Sequence, residues 1–296
     1  MSAQTNTEPW TFLRLINWTK DYLAGRGLDS PRLAAELLLA HVLDCPRMAL
    51  YTQFDRVATE AERARFRELV KRAAEHEPVA YLVGRRDFYS LEVAVTPNVL
   101  IPRPESEGLV DRAVDHLRGL GRPGQAWDAC TGSGAVALAI AANATETRVL
   151  ATDTSDAALA VALTNAETHD LTDRVVVAKA DLLALPADVG IEGRFDVITA
   201  NPPYVTAADM ETLPPDVRHE PAEALFGGRE GLDFIAPLLE QAPGHLAEGG
   251  LLAMEIGYNQ AEAVRDLAER DGRYERIGFD RDAAGIERIL VAYRKA

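Results

Sequence analysis

The spacing of apolar positions divides the chain in two. From Pro9 to about Glu77 the period is helical: Phe12, Ile16, Thr19 and Leu23 share one face, and Phe66, Leu69, Val70 and Ala73 share another. No run there reads as strand, so the stretch predicts a small helical bundle. Ser30-Pro31 reads as an N-cap followed by proline in the first turn, and Thr59-Glu60-Ala61-Glu62 as a capping box. From Asp87 to Ile101 the period falls to two, with Leu91, Val93 and Val95 alternating against Glu92, Ala94 and Thr96. That pattern predicts a hairpin or a pair of short strands. Pro102-Arg103-Pro104 then breaks the chain before a helix over 105–117.

Beyond this point strands and helices alternate. Strands are expected over 126–130, 148–153, 174–180, 195–201 and 250–256, and helices over 134–143, 156–168, 231–247 and 259–270. Such alternation implies a mostly parallel sheet with helices on both faces. The end differs: 274–280 and 288–293 are strand-like runs with only a short connection containing Gly285, so they should pair antiparallel. The fold class expected is therefore α/β, a Rossmann-like, seven-stranded, mostly parallel sheet closed by an antiparallel C-terminal hairpin and preceded by a helical bundle. A hairpin closing a parallel sheet is typical of the methyltransferase variant of the doubly wound fold.

Composition narrows this only a little. The chain has 296 residues, 47% of them apolar, enough for two cores. No apolar run approaches the ~18 residues of a membrane span, and the polar start, Met1 to Glu8, has no signal-peptide core. A cytoplasmic monomer is the expectation. The net charge of −15 disfavours a tight grip on a phosphate backbone and favours a protein or small-molecule partner. Cys45 and Cys130 suggest no disulfide framework, and the six histidines fall at no ligand spacing, so no metal is expected.

Candidate chemistry begins at Asp128-Ala129-Cys130-Thr131-Gly132-Ser133-Gly134, which links the first strand of the alternating region to its helix. Glycine permits close approach of backbone to a ligand, and the helix N-terminus offers free N–H groups to an anion. Asp153 ends the next strand, where it can accept from ribose hydroxyls; Asp181, after the third, lies where an adenine edge would sit. By itself the loop is ambiguous. Gly132-x-Gly134-x-x-Ala137 with a downstream acid also satisfies the dinucleotide fingerprint.

Asn201-Pro202-Pro203-Tyr204 resolves the ambiguity. It follows the buried run Phe195–Ala200 and so sits at the carboxyl edge of the sheet, where ligands bind. Two prolines make a stiff turn without backbone donors. The Asn201 amide oxygen and a proline carbonyl can accept the two N–H groups of a planar –NH2, with Tyr204 stacked on its face. A dehydrogenase has no use for this. Asp128, just before the loop, favours a ligand carrying an ammonium over a pyrophosphate, and S-adenosylmethionine carries both an ammonium and a sulfonium. Together they point to methyl transfer onto an amide or an exocyclic amine.

With these motifs in place the chain resembles the HemK/PrmC family, N5-glutamine methyltransferases of peptide chain release factors. Glu77–Gly84 is similar to its PxxYLxG segment, Val99–Glu107 to its VLIPRPxTE segment, Glu220-Pro221 with Gly227–Leu232 to EP…GGxxGL, and Asp282–Arg288 to its closing DLAGxDR. Three positions depart from the family pattern: Cys130 stands where glycine is usual, Glu287 where aspartate is usual, and Leu182 where some members carry an aromatic against adenine. Cysteine is small, so binding is kept if its position needs no positive φ.

The resemblance implies a helical substrate-recognition domain over 1–84, a hairpin linker over 85–104 and an S-adenosylmethionine-dependent domain over 105–296. It implies that Asp128, Cys130, Thr131, Gly132, Ser133, Gly134, Asp153, Thr154, Asp181, Leu182 and Asn201 hold S-adenosylmethionine. Asn201, Pro202, Pro203 and Tyr204, with Arg103, would seat a glutamine of the Gly-Gly-Gln loop of a class I release factor. Three other readings share parts of the pattern. A nucleic-acid amino-methyltransferase uses the same Asn-Pro platform but must extrude a base, and the net charge opposes it. A ribosomal-protein glutamine methyltransferase would share the mechanism. A non-catalytic cofactor-binding module would need no such platform.

Overall fold

The computed structural model describes residues 8–187, 189–191 and 193–296. They form two compact units. One runs up to Gly84 and takes in Pro215–His219; the other comprises Arg85–Pro214 and Glu220–Ala296.

The smaller unit contains helices α1 (Phe12–Ala24), α2 (Pro31–Leu43), α3 (Glu60–Ala74) and the short α4 (Val79–Val83). The expected faces are the buried ones: Phe12, Ile16, Thr19 and Leu23 on α1, and Phe66, Val70 and Ala73 on α3, with Leu69 packed beside them. Thr59 and Glu62 cap α3 reciprocally, each satisfying a backbone N–H of the other. Ser30 does not cap α2 as expected. Its backbone is left-handed at φ 50 and its side chain makes no capping bond. A capping hydroxyl reaches the free amides from an extended backbone, which Ser30 lacks.

The larger unit opens with a hairpin of β1 (Arg85–Phe88) and β2 (Leu91–Ala94), followed by α5 (Glu107–Gly119). Then come β3 (Gln125–Ala129), α6 (Ala135–Asn143), β4 (Arg148–Asp153), α7 (Asp156–Thr168), β5 (Val175–Lys179) and β6 (Phe195–Ala200). A short α8 (Ala207–Glu211) leads to α9 (Ile235–His245), β7 (Leu246–Glu255), α10 (Ala261–Asp271), β8 (Tyr274–Arg281) and β9 (Glu287–Arg294). Helix α9 starts later than the apolar pattern suggests, and β7 begins earlier, at Leu246, which already pairs with Phe195 across a register shift.

The seven-stranded sheet has the order β5-β4-β3-β6-β7-β9-β8. Its first five strands are parallel, and β9 pairs antiparallel with both β7 and β8. Strand β6 is buried along its whole length, its two polar residues Asp196 and Thr199 included. Helix α6, Ala-Val-Ala-Leu-Ala-Ile-Ala-Ala-Asn, is apolar all round because it is buried on every side from Ala135 to Ala141. Helix α5 instead buries one stripe, Leu109, Val110, Ala113, Val114 and Leu117.

One topological fact places the site. The chain lays β3, β4 and β5 outward in one direction and then returns to put β6 on the other side of β3. At that reversal the carboxyl ends of β3 and β6 lie side by side, with Ala129 in register with Ala200. Ligand crevices of open α/β sheets form at this kind of reversal. The hairpin is fastened close by. The buried Asn165 of α7 bonds both backbone groups of Ala94 (2.8 and 3.0 Å) and also the Ser133 carbonyl (2.9 Å). No helix among the described residues is long and apolar enough to cross a membrane.

Candidate active site

A cavity of about 210 Å³ opens at the β3/β6 reversal. Asp128, Cys130, Thr131, Gly132 and Ser133 line it from the first loop, Asp153 and Thr154 from the end of β4, Asp181 and Leu182 from beyond β5, and Asn201 and Pro203 from beyond β6. Residues as far apart in sequence as Asp128 and Pro203, separated by 75 positions, thus meet on one edge. Phe88, Leu100, Pro102, Ser106 and Phe234 are also part of the wall.

The first loop is wound tightly. Cys130, Gly132 and Gly134 all have positive φ (56, 54 and 81). Gly134 is confined as well, since a Cβ there would lie 3.1 Å from that of Ala162. At Gly132 a Cβ would meet nothing within 4 Å, so the backbone faces open space. Cys130 is therefore at a position that does need positive φ, contrary to the condition under which its small size would leave the loop unaffected. A left-handed non-glycine residue costs roughly 1–2 kcal/mol, and the loop carries that cost at Cys130. Leu182 is left-handed too, at φ 51. Two of the departures from the family pattern, Cys130 and Leu182, thus fall on strained backbone in loops that line the cavity. Burial, with the nearby Asp153, Asp128 and Asp181 carboxylates, pushes the Cys130 thiol well above its ordinary value. It stays protonated and unreactive.

Asp153 accepts from the Gly132 N–H (2.9 Å) and the Ser155 N–H (3.0 Å), so one carboxylate braces the two adjoining loops. Asp128 is almost completely buried, at 2% exposure. It accepts from the Thr131 hydroxyl (2.6 Å) and the Thr199 hydroxyl (2.7 Å). Burial outweighs these bonds and pushes its pKa up to about 6. Its bonding partners, the two hydroxyls and the Ala137 backbone, are uncharged, and among the described residues no cation is paired with this buried group at the wall of the cavity. That donor set fits a ligand bringing an ammonium group.

Asn201 is held at one end only. Its Nδ2 donates to Ser106 Oγ (3.1 Å). Among the described residues nothing donates to its Oδ1 or to the Pro202 carbonyl. Ser106 in turn donates to Glu255 Oε2, and the Tyr204 hydroxyl donates to Glu255 Oε1 (3.0 Å). Tyr204 does not line the first cavity. It lines a second, of about 240 Å³, with Thr206, Tyr258 and Asn259. Burial and the Glu255 charge raise the Tyr204 phenol above its ordinary value, so it remains a donor. Pro202 is buried and, unlike Asn201 and Pro203, is absent from the cavity lining. Arg103 is paired with Glu220 and is absent from the cavity wall.

Several residues in this assembly carry roles that the motifs did not reveal. Glu220 is buried, and besides pairing with Arg103 it accepts from the Ile101 N–H (3.0 Å), so it clamps the segment leading to Ser106. The Gly-Gly-x-x-Gly stretch braces the Asn-Pro-Pro-Tyr turn. Val205, next to the turn, donates its N–H to the Leu225 carbonyl just before this strap (2.8 Å) and accepts from the Gly227 N–H within it (2.9 Å). Gln260 ties the two together, its Nε2 donating to the carbonyls of Tyr204 and Gly231 (3.1 Å each). A Cβ on Gly227 would lie 2.5 Å from the Pro203 oxygen, and one on Gly231, at φ 72, would run into the Tyr204 oxygen. Gly231→Ala is thus expected to lower stability by about 1–3 kcal/mol and to displace the turn. Denaturant unfolding with a methyl-transfer assay on the same preparation checks both. Glu255 had one visible sign: it is the acid in the otherwise apolar run Leu251–Ile256.

No group of acids, histidines and cysteines among the described residues is arranged to hold a metal ion. The arrangement offers an acid-lined cavity beside a free amide oxygen on a rigid turn.

Comparison with known proteins agrees with this geometry. Residues 14–84 match the PrmC N-terminal domain and residues 109–216 the methyltransferase small domain. The chain is 45% identical over 296 residues to a release factor glutamine methyltransferase of Rhodopirellula baltica, covering 98% of each chain. It is 38% identical over 289 residues to that of Geobacter sulfurreducens, covering 96% of each. Among solved structures, the hMettl16 catalytic domain in complex with the MAT2A 3′UTR hairpin 1 superposes with a TM-score of 0.58 at 15% identity, over 87% of this chain and 91% of that one. That likeness is one of fold alone. With its N-terminal domain, its methyltransferase domain and full-length relatives at such identity, the chain belongs to the release factor glutamine methyltransferase family.

Proposed function

We propose that the protein transfers a methyl group from S-adenosylmethionine to the side-chain amide nitrogen of the glutamine in the Gly-Gly-Gln loop of class I peptide chain release factors. The observation that carries this reading is the half-held Asn201. Its nitrogen is bound to Ser106, and its oxygen is left without a partner on the wall of an acid-lined cavity. The names of the full-length relatives supply the substrate class.

Bound S-adenosylmethionine supplies an electrophilic methyl group. The side chains suited to hold it are Asp128 for the ammonium, the 130–134 loop for the carboxylate, Asp153 and Thr154 for the ribose, and Asp181 and Leu182 for the adenine. An amide nitrogen is a poor nucleophile because its lone pair is delocalised into the carbonyl. The protein's task is therefore to orient that nitrogen and to stabilise the positive charge developing on it. Asn201 Oδ1 and the Pro202 carbonyl would accept its two N–H groups. No strong base is required beforehand, since the proton becomes acidic only as the N–C bond forms.

The test is methylation of purified class I release factor, followed by mass mapping of the Gly-Gly-Gln peptide. One added methyl group on the glutamine supports the reading. Incorporation into DNA or RNA instead, with none into release factor, would support the nucleic-acid alternative that the net charge of −15 disfavours.

A further inference from the structure

Three side chains that no motif joins form one continuous chain of hydrogen bonds behind the turn. Glu255, at the end of β7, is 2% exposed, and Ser106, at the head of α5, is 3% exposed. Among the described residues Glu255 forms no ion pair; its two oxygens accept from Ser106 and Tyr204. A buried carboxylate satisfied only by two hydroxyls is costly to keep. What it gains here is polarity. In its ionised form Glu255 has no proton to give, and Ser106 then donates to it. The Ser106 lone pairs then face Asn201, and only the –NH2 end of the amide can bind them.

We propose that Glu255, acting through Ser106, is a positioning residue that dictates which end of the Asn201 amide faces the cavity, while its other oxygen fixes Tyr204. This rests on the Asn201 reading above and deepens it. A carboxamide has nearly the same shape when flipped, so packing alone cannot choose between its ends. Flipped, Asn201 would present a donor to a substrate group that is itself a donor, and the site would repel what it must hold. Burial, with a smaller contribution from the neighbouring Glu105, holds the Glu255 carboxyl above its ordinary range, and the two donor hydroxyls and the Arg288 charge work against that rise.

The experiment compares Ser106→Ala, Ser106→Thr and Glu255→Gln with the wild-type enzyme. The readouts are kcat and KM for release factor, cofactor affinity by titration calorimetry and the thermal midpoint. Ser106→Ala and Glu255→Gln should lower kcat about 10- to 100-fold, with cofactor affinity within about threefold because Asp128 and the first loop are untouched. Ser106→Thr keeps the hydroxyl and should restore most of kcat; the family pattern quoted above carries threonine at this position. In an Asn201→Ala background, Ser106→Ala should have no further effect on kcat, because the two act as one unit. Full kcat in Ser106→Ala or in a folded Glu255→Gln, or equal loss in Ser106→Thr, would overturn the proposal. If Glu255→Gln fails to fold, the two Ser106 variants decide the question alone. Failure of the underlying reading shows separately, as an Asn201→Ala enzyme that is still active.

Discussion

Asn201→Ala is expected to reduce methyl transfer to near background, a loss of about 10²- to 10³-fold, while leaving cofactor affinity within a few-fold. The asymmetry follows from the geometry. In the proposed reading Asn201 Oδ1 would meet the substrate amide, whereas the first loop, Asp153 and Asp181, which line the same cavity, would hold the cofactor. Alanine removes the acceptor that orients the amide nitrogen and shares its developing charge, and it does so without disturbing the backbone turn, which the prolines and the Gly227–Gly231 strap hold. Calorimetric titration of the cofactor with a labelled-methyl assay on release factor separates the two effects. Retained activity would remove Asn201, and with it the whole platform, from the mechanism.

Asp128 supplies the second large effect. Asp128→Asn is expected to weaken S-adenosylmethionine binding by tenfold or more at neutral pH, the order of a lost charge-assisted hydrogen bond. In the wild-type protein the same contact makes binding depend on pH. The carboxylate titrates near pH 6. Affinity should therefore be full above that pH and fall about tenfold per pH unit below it, as the ammonium meets a neutral acid. In the Asp128→Asn variant this slope should vanish. Stability runs the other way. The folded value lies above the ordinary 3.8, so the group favours folding below pH 4 or so, and that contribution is lost as pH rises through about 6. Above that pH the ionised side chain opposes folding, and the neutral amide of the variant should hold or raise the thermal midpoint while binding worsens. Titrations from pH 5 to 8 on both proteins check slope and midpoint together. A wild-type affinity flat across that range would exclude the ammonium role.

Which residues could be read ahead of the structure, and which could not, follows a physical line. The faces of α1 and α3 were legible because burial on a helix repeats with its pitch. The strands of the sheet were legible as apolar runs and alternations, and the antiparallel closure because no helix separates β8 from β9. The Thr59 capping box needs only four consecutive residues and was legible for that reason. The Ser30 cap failed because a cap depends on φ, and Ser-Pro does not specify it. Cys130 failed similarly. Its size could be read from its letter, but its left-handed backbone is imposed by the turn between β3 and α6. Arg103 and Glu220 are separated by 117 positions, so no local pattern announces that one neutralises the other.

Sequence by itself determined what each segment could become: a helical bundle, a parallel sheet with an antiparallel end, a glycine loop, and a rigid amide-bearing turn. These are short-range properties, set by side-chain period, by the fixed φ of proline and by the freedom of glycine. Only the tertiary structure decided that the loop after β3 and the turn after β6 stand side by side, since that depends on the direction in which the sheet is wound. It alone also brought Glu255 and Ser106 together behind Asn201. The direction of a hydrogen bond is a property of the whole chain of donors and acceptors, and three residues distant in sequence must meet before it exists.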